Sequence, residues 1–430
     1  MAELSNSPWD FALDNGIRFV MDNTQSHLKY MAAAMYIRTG SLYETPKISG
    51  ISHMVEHMMF RGTPKYETYK DFAKAIESCG GIINAWTGID EVSYHVTAPK
   101  ESELEVYDLL LEMFRGPRLE GFDRERETVL EEVRADYLAT GENSDPEDIV
   151  RRLAFSGPLG YKIAGTEESV SSLRLSDLRK HINTFYRARN MALVVTGGWD
   201  KISYGDTDFI PPGTLSRTRT VAAPKWRASK VEFVFDPGAP QTSVVLGFRA
   251  PGSRDKDYYA YRVLSLILNG GMSTRVEQSI RESGLAYDAG MEYETMASSG
   301  LFTLNAVTSH DKARDLTTAM LRLLAKITSV TKEELHLAKK QALWGIDASQ
   351  DSAMALLDQL GTLAISGESV DLEVRREGVR AVTKASIEAA AKRLLSKHCL
   401  YGAYVGNVSE KDQRFIRRAM ADFDSGRYPK

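Results

Sequence analysis

The chain has 430 residues, 43% of them hydrophobic and 26% charged, with a formal net charge of −4 at pH 7. That length exceeds one ordinary core and points to about two or three domains in a globular protein; no basic stripe of the kind that binds nucleic acid is present. No run approaches the roughly 18 to 20 apolar residues of a membrane span, residues 1–14 carry no secretory or Arg-rich transit pattern, and Cys79 and Cys399 are too far apart to suggest a disulfide framework, so the expectation is a cytoplasmic protein without a membrane span.

In chain order, residues 31–38 read as an opening strand, and a helix follows that carries His53-Met54-Val55-Glu56-His57. Positions i, i+3 and i+4 share one helix face, so two imidazoles and one carboxylate come together. His53 and His57 can direct nitrogen lone pairs at one zinc ion, with Glu56 beside them as a proton acceptor. The chain has eight histidines and two fall in this pattern; a charged Glu56 in such an apolar run is costly to bury without a partner. Catalytic zinc takes three protein ligands and keeps a fourth position open, so one ligand must come from elsewhere. The candidate is Glu132, 75 residues beyond His57 in a stretch that reads as a helix with an apolar stripe; its neighbour Glu131 is the rival. Glu125 lies two helical turns before Glu132 on the same face. It is a candidate to orient a ligand histidine or, within the charged run 123–127, a surface glutamate.

Residues 191–196 read as a closing strand, and residues 201–230, with Pro211-Pro212-Gly213, as a linker. The second half then repeats the frame at an offset of 208 residues, from a strand at 242–249 to one at 400–405. His53 falls on Tyr261, Glu56 on Leu264, His57 on Ser265, Glu125 on Glu333 and Glu132 on Lys340. The repeat keeps the frame and loses the ligands, so one Zn2+ per chain is expected. Strands and helices are intermixed without regular parallel alternation, which gives an α+β class. The expected domains are an N-terminal zinc-binding half (1–200), a linker (201–230) and a C-terminal half without metal ligands (231–430).

Gly50-Ile51-Ser52-His53-Met54-Val55-Glu56-His57-Met58-Met59-Phe60-Arg61-Gly62-Thr63 resembles the inverted zinc motif of the pitrilysin (M16) peptidases, which include insulin-degrading enzyme and mitochondrial processing peptidase. Leu13-Asp14-Asn15-Gly16-Ile17 resembles the family's opening strand and turn, and Gly80-Gly81-Ile82-Ile83-Asn84-Ala85-Trp86-Thr87 with Tyr94 the strand beside the active site. Gly284-Leu285-Ala286-Tyr287 resembles a second-half signature, so the similarity runs nearly the whole length.

The resemblance implies two related halves forming one side of a clamshell that closes over a peptide. It implies His53, His57 and Glu132 as metal ligands, Glu56 as the base, and Glu125 as the orienting carboxylate. Asn84, Ala85, Trp86 and Thr87 would be an edge strand that accepts an extended peptide, and Arg281 and Tyr287 donors toward the substrate and its developing oxyanion. Two departures stand out: the interval from Arg281 to Tyr287 is shorter than in many relatives, and residues 199–207 do not read as the helix that usually follows the closing strand. The implied protein is a zinc endopeptidase of the short class, with a peptide substrate, working as a dimer of two copies or with a related chain. Two other readings are a catalytic chain that needs a related partner for the substrate-side donors, and a non-catalytic scaffold subunit. The complete set His53, Glu56, His57 and Glu132 argues against the scaffold. Processing of leader peptides, of small peptides and general peptide clearance all fit.

Overall fold

The computed structural model describes residues 7–201, 207–214, 230–396 and 399–428. The first half of the chain runs β1 (Trp9–Ala12), β2 (Arg18–Met21), β3 (Tyr30–Ile37), α1 (Ile51–Met59), α2 (Tyr69–Ser78), β4 (Ile82–Thr87), β5 (Val92–Pro99), α3 (Glu103–Glu112), α4 (Phe122–Ala135), α5 (Pro146–Ala154), α6 (Glu167–Ser172), α7 (Leu175–Phe185) and β6 (Met191–Gly197). The second runs β7 (Lys230–Val234), β8 (Thr242–Ala250), α8 (Tyr258–Asn269), a π-helical turn (Glu277–Arg281), β9 (Asp288–Thr295), β10 (Gly300–Thr308), α9 (Ala313–Ala325), α10 (Lys332–Ser349), α11 (Ala353–Ser366), α12 (Leu372–Ala381), α13 (Lys384–Ser396), β11 (Tyr401–Val405) and α14 (Glu410–Asp424).

The strands form two sheets, of order β1-β2-β6-β3-β5-β4 and β7-β11-β8-β10-β9. Without β1 the two orders are the same. Each has one parallel pair, β2 with β6 and β7 with β11, and is otherwise antiparallel. The fold is therefore α+β with two homologous halves, and the strands expected at 31–38, 191–196, 242–249 and 400–405 are β3, β6, β8 and β11, each within a residue or two of its expected ends. Pattern follows position. Central β3 is an almost unbroken apolar run because both its faces are covered. The end strand β4 alternates, turning Ile83, Ala85 and Thr87 inward while Ile82 and Trp86 face out.

Packing divides the chain into two compact units that differ from the division expected at 201–230. The first unit comprises residues 1–133, 161–219 and 345–375, and the second residues 134–160, 220–344 and 376–430. The physical reason is that each half of the sequence gives one helix to the other half's sheet. In the first unit, α11 packs on β2, β3 and β6 through fully buried Ala353, Leu356, Leu357 and Leu360. Each such leucine contributes about 1.5–3 kcal/mol of burial. Thr196 donates to the Ala353 carbonyl (2.8 Å), and Arg18 to those of Ala364 (2.9 Å) and Glu368 (2.8 Å). In the second unit, α5 packs on β8 and β11 with Ile149 and Val150 fully buried, and Arg151 pairs with Glu294 at 2.7 Å. Of the expected linker, residues 202–206 and 215–229 lie outside the described residues.

After β6, buried Trp199 donates from Nε1 to the Asp22 carbonyl at 2.9 Å, whereas β11 is followed by α14. Cys79 and Cys399 are free thiols. No helix among the described residues is long and apolar enough to cross a membrane.

Candidate metal centre

Helix α1 is anchored before its first turn. Gly50 caps it in the left-handed region (φ 87°), where a Cβ would lie 2.5 Å from the Ala164 carbonyl oxygen, so two backbones cross in contact. The N–H groups that open any helix lack intrahelical partners, and here the buried Glu44 carboxylate takes two of the donors at this end, from Gly50 (2.7 Å) and Ser52 (2.9 Å). Burial raises the Glu44 carboxyl to about 7, against the lowering pull of those donors. Ile51, Met54, Val55, Met58 and Met59 then face the core and turn His53, Glu56 and His57 together to the other side. The two imidazole centroids are 4.6 Å apart.

Helix α4 brings the third donor. Glu132 Oε2 lies 3.7 Å from His53 Nε2 and 3.5 Å from His57 Nε2. The ligand atoms of the three residues fall within 4.8 Å of one another, and Glu131 has no part in this group. Zinc with bonds of about 2.0–2.2 Å in tetrahedral geometry separates its ligands by roughly 3.3–3.6 Å, so two imidazole nitrogens and one carboxylate oxygen at about this spacing fit that ion. Burial, and then the neighbouring His57, lowers His53 to about 4, which keeps it in the neutral form that binds metal.

Glu125 is 4% exposed, which removes the surface reading. Its Oε1 lies 3.0 Å from His57 Nδ1 and its Oε2 forms an ion pair with Arg61. With the Nδ1 proton directed at this carboxylate, the His57 Nε2 lone pair faces Glu132 and the candidate metal position. Glu56 accepts a 2.5 Å hydrogen bond from Thr87 Oγ1. Burial raises the Glu56 carboxyl, the Thr87 bond and His57 pull it down, and Glu132 raises it again. A carboxylate with raised proton affinity beside a metal position suits proton transfer.

The family profile described as Insulinase (Peptidase family M16) matches residues 20–167, and the one described as Peptidase M16 inactive domain matches residues 172–342. The chain belongs to peptidase family M16. It is similar to the uncharacterized zinc protease YmxG of Bacillus subtilis, 26% identical over 400 residues that cover 90% of this chain and 95% of the relative. An uncharacterized zinc protease of Mycobacterium leprae is 27% identical over 413 residues, 91% and 90% of the two chains. The mitochondrial-processing peptidase subunit beta of Dictyostelium discoideum is 24% identical over 404 residues, 89% and 85%. Among solved structures, a protease from Helicobacter pylori shares the fold with a TM-score of 0.81 at 19% identity, covering 93% of this chain and 99% of its own.

The first M16 match contains α1 but stops short of nothing in the cluster, since Glu125 and Glu132 also lie before residue 167. Among the described residues the one group of three that could hold a metal ion is His53, His57 and Glu132, and at the second-half positions equivalent to His53 and Glu132 Tyr261 is fully buried and Lys340 exposed. Arg281 ends the π-helical turn and pairs with Glu277 at 3.0 Å; Tyr287 is 81% exposed, with its backbone N–H bonded to the Val307 carbonyl at 2.9 Å. On β4, Asn84 Oδ1 accepts from the Ala85 N–H (2.9 Å) and Trp86 is 40% exposed, while Thr87 turns inward to Glu56. Sequence reasoning missed Glu44 and the pairing of Arg61, and it grouped Thr87 with the strand expected to accept a peptide. Arg61 sits inside the motif stretch, which was the one available signal; Glu44 has no periodic relation to α1.

Proposed function

We propose that the chain is a zinc-dependent endopeptidase that cleaves extended or unfolded peptides. The observation that carries this is the convergence of His53, His57 and Glu132 at zinc-ligand spacing, with Glu56 beside them. Zinc held by those three residues would polarise the scissile carbonyl and make water a better nucleophile at neutral pH. Glu56 takes the proton of the attacking water on a carboxylate oxygen and hands it to the leaving amine. Glu125, braced by Arg61, holds the His57 ring in its ligand orientation. Strand β4 ends its sheet and pairs with β5 alone among the described residues, so its outer edge is open for an extended peptide to add as a further strand. Main-chain pairing of that kind accepts many sequences and leaves selectivity to side-chain pockets.

Arg281 and Tyr287 enter the proposal as hydrogen-bond donors toward the substrate, a role that rests on the family resemblance and would be worth a few kcal/mol of barrier. One zinc per chain, a dimer of two copies or with a related chain, and action in the cytoplasm with both cysteines reduced complete the reading. Similarity to a mitochondrial-processing peptidase subunit favours the processing of leader peptides as the substrate class. The test is a library of unstructured peptides incubated with the purified chain, with products sequenced by mass spectrometry before chelation, after it, and after zinc is restored. Internal cleavages that vanish on chelation and return with zinc are expected. Cleavage unaffected by chelation, or none from the zinc-loaded chain alone or with a related partner chain, would contradict it.

A further inference from the structure

We infer that Thr87 is a positioning residue for the base: its hydroxyl fixes Glu56 in the one orientation from which the carboxylate can reach the attacking water. The inference rests on the reading of Glu56 as that base.

A glutamate has three side-chain torsions, and ordering it costs rotamer freedom. A carboxylate left to wander is a poor proton acceptor even beside its substrate, because proton transfer needs hydrogen-bond reach at the moment of reaction. Thr87 removes that freedom with one bond. Its Oγ1 lies 2.5 Å from Glu56 Oε2, which leaves Oε1 to accept the proton. The other inward residues of β4, Ile83 and Ala85, carry no donor that could substitute.

The anchor is itself held firmly. Thr87 is β-branched and therefore restricted at χ1, and it is the last residue of β4, paired with Val92 of β5. The turn between them closes through the Gly88 N–H to the Glu91 carbonyl at 2.8 Å. Gly40, at φ 135°, lies against this turn so closely that a Cβ would be 2.5 Å from the Gly88 carbonyl oxygen. Buried Glu91, at the end of the turn, accepts from Thr362 of α11 at 3.1 Å. The hydroxyl thus projects from a strand end pinned by β5, by Gly40 and by a helix that the second half of the sequence contributes. It belongs to the docking strand yet acts on the base.

The test compares Thr87→Val and Thr87→Ala, which delete the hydroxyl with and without the branch, with Thr87→Ser, which keeps it, and Glu56→Gln as the control on the base. Steady-state kinetics use an internally quenched version of a peptide cleaved from the library, and zinc content is measured on each protein. The valine and alanine variants should lose kcat by roughly 10- to 100-fold with KM changed less than about twofold, keep the zinc content of the parent, and be restored to within about threefold by serine. Glu56→Gln should lose turnover and keep zinc. Parental kcat in both deletion variants, a loss shared by serine, a loss confined to KM, or a loss of zinc would overturn the inference. Turnover by Glu56→Gln at the parental rate would instead overturn the reading of the base.

Discussion

Replacing Glu125 by glutamine should weaken zinc binding about 10- to 100-fold while leaving the fold intact. In the parent, one carboxylate oxygen faces His57 Nδ1 at 3.0 Å and the other pairs with Arg61. An amide offers one oxygen and one NH2 group. If the oxygen faces His57, the NH2 meets the guanidinium, donor against donor; if it faces Arg61, the imidazole N–H loses its acceptor. Glu125 is 4% exposed, so water cannot readily repair either arrangement. A lost charge-assisted bond at such a site costs about 1.5–3 kcal/mol, and 1.4 kcal/mol is about tenfold in a binding constant. The assay is competition for zinc against a chromophoric chelator, repeated with Arg61→Met alone and in the double variant. Because both changes act on one carboxylate, their effects on zinc affinity should be non-additive. Zinc affinity of Glu125→Gln equal to the parent's would refute the role assigned to this carboxylate, and strictly additive effects would refute the coupling through Arg61.

Leu360→Ala should destabilise the first unit by about 2–5 kcal/mol, because the side chain is fully buried against that unit's sheet; hydrogen exchange should quicken in β3 and β6, and unchanged protection there would contradict the exchange of helices. His181 is buried, with Thr39 Oγ1 3.0 Å from its Nε2, and burial lowers it to about 3 from an ordinary value near 6.5. The folded state therefore refuses a proton that the unfolded chain takes up, so this contribution to stability is present above about pH 6.5 and lost as pH falls toward 3, by up to about 1.4 kcal/mol per pH unit. Urea unfolding of the parent and of His181→Gln should accordingly converge by about 2 kcal/mol between pH 6.5 and 5; parallel curves would be contrary. Tyr287→Phe should lower turnover and spare both zinc content and stability, since an 81% exposed side chain contributes little to the fold; unaltered turnover in steady-state kinetics would remove the hydroxyl from the chemistry.

What was legible in the amino acids was local or periodic. The spacing of His53, Glu56 and His57 specifies one helix face whatever packs around it, and Glu125 and Glu132 share a face for the same reason. The repeat at 208 residues appears in the structure as the matching strand orders of the two sheets. What was not legible depends on pairs distant in sequence. The apolar run of α11 announces a buried helix and says nothing about which sheet buries it; that choice is made by Leu356, Leu357 and Leu360 against β2, β3 and β6. The bonds from Thr87 to Glu56 and from the start of α1 to Glu44 join residues with no shared period, and only the folded chain brings them together. Tyr287 illustrates the converse: its family-like surroundings, Gly284-Leu285-Ala286, gave no sign that the ring would be so exposed.

Whether His53, His57 and Glu132 hold one zinc ion is decided by anomalous scattering at the zinc edge from crystals of the zinc-loaded protein. The proposed coordination gives a single strong peak per chain, about 2.0–2.2 Å from His53 Nε2, His57 Nε2 and a Glu132 carboxylate oxygen. A peak bounded by other residues, a second one beside Tyr261 and Lys340, or none at His53 and His57 in zinc-saturated crystals would contradict it.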